Sequence, residues 1–128
     1  MNTSSVVRAF NDHFNELIQD LKRVFPGNED LLILETFVGN IRKMNPRLPI
    51  TAWKECVTNV YSKEILSGDI TFFLEKDYSK DLEGNSSSDY IINGIDKLRG
   101  PIRQLGEADK EKSMKYIQNL TKLAAAFQ

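Results

Sequence analysis

The sequence predicts an all-α fold, a compact bundle of five or six helices. Three observations predict it. Apolar residues return every three or four positions in five or six separate stretches. Capping side chains, prolines and glycines punctuate the ends of those stretches. No two segments alternate apolar and polar residues as paired strands would. The chain has 128 residues. That suits a single domain, and is enough to bury a core without disulfides or a structural metal.

The first helix is expected from a cap at Thr3 or Ser4 to about Phe25. Val7, Phe10, Phe14, Leu17, Leu21 and Val24 step by three and four, a short heptad seam. A seam of that length is expected to pack on a helix of the same chain. His13, the only histidine, flanks it and reads as a partly exposed structural residue. Phe25, Pro26, Gly27 and Asn28 make a turn, with Asn28 as the next cap. Glu29 and Asp30 follow, where the helix dipole favours acids. The second helix is expected to run to about Met44. Leu31, Leu34, Val38 and Ile41 form its stripe, and Ile33, Phe37 and Met44 widen it. A stripe this wide suggests burial on more than one side. Gly39 in its middle lowers helix propensity, which is expected where another helix passes close.

Pro46 and Pro49 enforce a corner before the stretch 49–66, which holds the only tryptophan, Trp53, and the only cysteine, Cys56. On a helix, Ile50, Trp53, Val57, Val60 and Tyr61 share one face, and Lys54, Thr58 and Lys63 lie elsewhere. Trp53 is the expected core anchor, and Cys56 reads as a small buried apolar group. Gly68 suits the end of that helix. A short helix over 70–78 is expected next, although ITFFL alone has strand character. The polar run 80–89, KDLEGNSSSD, reads as a loop, flexible at about 83–88.

From Asp89 onward, Ile91, Ile95, Leu98, Ile102 and Leu105 keep one helical phase through Gly100 and Pro101. That predicts a kinked helix, or two short helices sharing a face. The last helix opens with Glu107, Asp109 and Glu111 and carries Lys115 and Lys122 later, matching the dipole at both ends. Met114, Tyr116, Ile117, Leu120, Leu123, Ala124 and Phe127 give it a broad apolar face. That face either closes the core or docks on a partner.

Net charge is −1, but it is unevenly spread. Residues 1–39 carry −3, residues 40–68 +3, residues 69–96 −5 and residues 97–128 +4. Solvated faces that pair inside the fold are one reading of this alternation, and a two-signed surface for neighbouring subunits is the other. The candidate interface on the second reading is Arg99, Arg103, Lys115 and Lys122, since the end of the chain is both basic and rich in apolar surface. Arg42, Lys43 and Arg47 form a second basic cluster, without interleaved aromatics, so nucleic-acid contact is expected to be weak.

One cysteine excludes an internal disulfide and any multi-cysteine zinc site. There is no HExxH pair, phosphate-cradling glycine loop, dinucleotide fingerprint or calcium loop. A carboxylate pair assembled by the fold stays open at this level. The expectation is a non-enzymatic protein with no metal and no cofactor. The opening residues lack the pattern of a signal peptide, and no apolar run reaches membrane-spanning length, so the protein is expected neither secreted nor membrane-spanning.

Three stretches carry a family resemblance: VVRAFNDHF at 6–14, GDITFFLEKDYSKDL at 68–82, and IDKLRGPIRQLGEADKEKSMKYIQNLTKL at 95–123. KDYSKDL and MKYIQNLTKL are the most specific parts. Together they resemble a family of small helical proteins of the large double-stranded DNA viruses of algae and protists. The resemblance implies a viral protein in the host cytoplasm or packaged in the virion. It brings no catalytic residues to carry over. Such viruses set many small proteins beneath a major shell protein, so the implied role is a minor capsid protein whose partners are other capsid subunits. The alternative is an accessory factor of viral replication or transcription with weak nucleic-acid contacts.

Overall fold

A computed structural model describes residues 2–69, Leu74 and residues 88–127, with the side chains of all of these but Cys56, Val60, 88–93 and Ile95. Asn2 starts the fold. Its side chain accepts from the Ser5 N–H at 2.8 Å and caps α1, Thr3–Val24. The cap therefore sits one residue before the expected Thr3 or Ser4. An amide oxygen reaches the third N–H as well as a hydroxyl does, so either neighbour could compete for the role. Lys22 and Arg23 close the helix at the end where the dipole favours cations. Gly27 takes a φ of +81° in the turn that follows, a conformation open to glycine at little cost.

Asn28 caps α2, Glu29–Met44, by accepting from the Leu31 N–H at 3.1 Å. The chain then turns through residues 45–47 into α3, Leu48–Trp53, with Pro49 in the first turn, where its missing N–H goes unneeded. The expected single helix over 49–66 is interrupted. Lys54–Thr58 forms a π turn, in which the Asn59 N–H donates to the Lys54 carbonyl, five residues back. The helical run resumes as α4, Asn59–Leu66, and ends at Gly68, φ +90°. α5 is Ser88–Arg103 and continues through Pro101 as one helix. α6 is Glu107–Ala126, with Glu107 and Asp109 in its first turn. There is no strand among the described residues, and the fold is an all-α bundle. No helix among them is long and apolar enough to cross a membrane.

One core joins all six helices. Phe10, Leu17 and Leu21 of the α1 seam are fully buried, and Val6 and Ile18 widen it. α6 lies against α1, α3, the π turn and α4; α2 lies against α1, α3 and α5. Met114, Ile117, Leu120 and Ala124 bury the inner face of α6, so that face closes the core. Trp53 is buried as expected, edge-on to both Phe10 and Phe14 with ring centres 6.2 and 6.1 Å away. Burying its side chain and Phe10's contributes several kcal/mol each by area, on the order of 1.5–3 per large apolar side chain.

The π turn changes one expectation. Thr58 belongs to the polar side of a regular helix. The wider turn rotates it inward, and it is buried with its hydroxyl 3.5 Å from the Thr121 carbonyl. Gly39 changes another. It is exposed, and a Cβ built on it meets nothing within 4 Å, so no helix among the described residues passes close there. The wide stripe of α2 is buried on one side only: Leu31 and Leu34 are inside, while Ile33 and Met44 face solvent. The helix expected over 70–78 and the loop expected at 83–88 lie outside the described residues, except for buried Leu74 and for Ser88, which opens α5.

Candidate functional site

Two concavities flank the corner where α2 turns into α3. The first is an apolar groove of about 460 Å³. α2 supplies Leu34, Phe37, Val38, Asn40, Ile41 and Met44; α3 and the π turn supply Leu48, Pro49, Ala52, Trp53 and Val57. Phe14 of α1 and Gly94 and Leu98 of α5 complete it. Asn40 is the one polar side chain among these described residues.

Beside the groove, α2 carries exposed Ile33 and Met44 with half-buried Phe37 between them. Ile33, Phe37, Asn40 and Met44 are spaced by four, three and four, so they lie along one side of the helix. Ile33 is 51% and Met44 86% exposed, and Leu48 adds a 37% exposed side chain across the corner. The eleven rises from Ile33 to Met44, at about 1.5 Å each, span about 16 Å. Exposed apolar side chains scattered singly are ordinary, whereas these border an apolar groove. Lys43, exposed, stands beside Met44 at the basic end of α2.

The second concavity, of about 250 Å³, lies on the other side of the corner. Ser4, Val7, Arg8 and Asn11 of α1 face Arg42 of α2 and Pro46 and Arg47 of the corner. Asn11 builds it. This side chain is 3% exposed, and its amide donates to the Pro46 carbonyl at 2.9 Å, pinning the corner to α1. Its Oδ1 has no hydrogen-bond partner among the described residues. Arg42 pairs with Asp12 at 2.7 Å. Among the described residues, no carboxylate lines the cavity.

The sequence places Arg42 and Arg47 together but gives no reason to add Arg8, thirty-four positions upstream of Arg42. Only the packing of α1 on the α2–α3 corner joins them. The one local hint is that Ser4, Arg8 and Asn11 share a side of α1.

The expected interface residues at the end of the chain fare differently. Arg99 is 7% exposed, and its guanidinium lies 3.3 Å from Asp96 one turn back. It is part of the fold's interior rather than a solvated charge. Arg103 donates to the Leu74 carbonyl. Lys97, beside them, lies 3.6 Å from Asp30 of α2. Lys115 and Lys122 are exposed on the outer side of α6. Of the four, Arg99 is buried, and Arg103, Lys115 and Lys122 are exposed. Arg99 is buried where α5 packs between α2 and α6, while Arg103 stays exposed and makes its contact within the chain.

His13 is partly exposed, 4.6 Å from the Tyr116 ring and 3.5 Å from Glu16. Among the described residues, no group of three or more His, Cys, Asp or Glu side chains is placed to hold a metal ion. Compared with known proteins, the chain matches no family model, and no curated protein or solved structure is significantly similar to it.

Proposed function

We propose that this chain is a non-enzymatic interaction protein that seats an amphipathic helix of a partner protein on the α2 stripe and in the groove behind it. The observation that carries this is the shape of the uncovered apolar surface. A stripe about 16 Å long accommodates roughly three turns of a partner helix, whose apolar positions repeat at the same spacing. A small ligand would need only the groove and would leave Ile33 in water. Methionine at the exposed end suits such a surface, because its unbranched side chain adapts to what it meets. Lys43 at the rim favours a partner helix with acidic flanks.

The setting we propose is the virion of a large double-stranded DNA virus, where the chain serves as a minor capsid protein. The sequence resemblance supports that setting. Particle proteomics tests it: a structural component is present at a fixed ratio to the major shell protein, and a non-structural factor is not. Ile33→Glu with Met44→Glu tests the site. Both side chains are exposed, so the isolated domain keeps its melting temperature within a few degrees. Incorporation into particles falls sharply. Normal incorporation of a folded variant removes the stripe from the interface.

The second reading, an accessory factor of viral replication or transcription, draws on the basic end of α2, where Lys43 is exposed, and not on the cavity. Salt-dependent binding to duplex DNA would support it.

A further inference from the structure

We infer that the cavity between α1 and the α2–α3 corner is a binding site for a phosphomonoester group. Three arginines from three separate stretches, Arg8, Arg42 and Arg47, line one concavity that has no carboxylate among its described lining residues. Asp12 neutralises one of them, Arg42, at 2.7 Å. The guanidiniums of Arg8 and Arg47 make no ion pair or side-chain hydrogen bond among the described residues. Two uncompensated positive charges therefore face one small cavity. A phosphomonoester carries −1.5 to −2 at neutral pH, which matches that residue of charge; a phosphodiester carries only −1. Arginine suits the task because its planar fork meets phosphate oxygens in pairs. The Ser4 hydroxyl adds a neutral donor on the same wall.

The positions of these groups are built in. Asn11 is buried and ties the Pro46 carbonyl to α1 at 2.9 Å. That bond sets the distance between Arg8 on the helix and Arg47 on the corner. The volume, about 250 Å³, leaves room for the phosphate and part of the group it esterifies.

The ligand is a single phosphate group rather than a nucleic-acid backbone. Backbone binding needs a track of cations along several phosphates. The other basic cluster offers none, since Arg99 is buried beside Asp96, Arg103 is held on the Leu74 carbonyl and Lys97 lies near Asp30.

The test is isothermal titration of the intact chain at low ionic strength and neutral pH. The probes are phenyl phosphate, inorganic phosphate, dimethyl phosphate and a duplex oligonucleotide. Phenyl phosphate and inorganic phosphate are expected to bind at least about tenfold more tightly than dimethyl phosphate, from the second charge. Arg8→Gln and Arg47→Gln each weaken phenyl phosphate by about tenfold or more, with the circular dichroism unchanged, since both side chains are exposed. Asp12→Asn releases Arg42 and tightens binding, an outcome that no damage to the fold would produce. Three results overturn the site: no binding of phenyl phosphate, equal affinity for the diester, or affinity that survives the two arginine substitutions together. Binding of the duplex alone, without the monoester, also overturns it.

Discussion

The indole N–H of Trp53 donates to the Thr121 hydroxyl at 3.2 Å across the core, and that hydroxyl donates onward to the Ile117 carbonyl at 2.9 Å. The two residues are 68 positions apart, and the bond fastens α3 to α6. Thr121 is fully buried, so it has no water to fall back on. Thr121→Val keeps the shape and removes the hydroxyl. It is expected to cost about 1–3 kcal/mol, the cost of leaving a buried donor poorly satisfied. Trp53→Ala is expected to cost about 3–5 kcal/mol through the cavity it leaves. Denaturant unfolding of the two single variants and the double checks this. The double is expected to cost less than the sum, because either change alone breaks the same bond.

Gly39 sits in an exposed helix interior with open space where a Cβ would be. Gly39→Ala is therefore expected to stabilise the domain by about 0.5–1 kcal/mol. A raised melting temperature checks it. Destabilisation would show that something in solution packs closely on that side of α2.

Arg99→Glu is expected to lower stability by on the order of 2 kcal/mol or more, since it sets a buried carboxylate beside Asp96. Lys115→Glu and Lys122→Glu, at exposed sites on α6, are expected to stay within about 0.5 kcal/mol. Thermal melts of the three variants separate the buried charge from the solvated ones.

Acid weakens the fold through Asp20 and Glu35. Burial alone would raise the Asp20 carboxyl, but hydrogen bonds from Lys112 and Arg23, both at 2.9 Å, outweigh it and hold it below its ordinary 3.8. Glu35 is held below its ordinary 4.5, first by a hydrogen bond from Gln19 and then by Lys22 at 2.9 Å. Both folded values lie below the unfolded ones. Their stabilisation is thus present above the unfolded values and is lost as pH falls through the folded ones. The melting temperature is expected to hold from pH 7 to about 5 and to fall below about 4. Asp20→Asn with Glu35→Gln is expected to flatten that fall. An unchanged profile would assign the acid sensitivity to other carboxylates.

Much of the fold was legible in the sequence because its signals are local. The α1 seam, the Asn28 cap, the end of α2 at Met44 and the phase carried through Pro101 are all set within a turn or two of the residues concerned. The features that were not legible depend on tertiary contacts. Thr58 turns inward because a π turn packs on α6, and nothing in KECVT requires one. Arg99 has the spacing of a surface charge, and only the neighbours of α5 bury it. The site was half visible. Ile33, Phe37 and Met44 stood out as widening the α2 stripe, but periodicity cannot tell a side that a neighbour covers from one left open. Arg8 joins Arg42 and Arg47 only once α1 meets the corner.

Lysine crosslinking with mass spectrometry on the native source tests the docking surface most directly. Lys43 stands beside Met44 on the α2 stripe, while Lys115 and Lys122 are exposed on α6. Docking on α2 predicts that intermolecular crosslinks run from Lys43 to one amphipathic segment of one partner. It also predicts that Ile33→Glu with Met44→Glu abolishes them while the domain stays folded. Crosslinks concentrated on Lys115 and Lys122, with Lys43 silent, would contradict it and return the interface to the end of the chain.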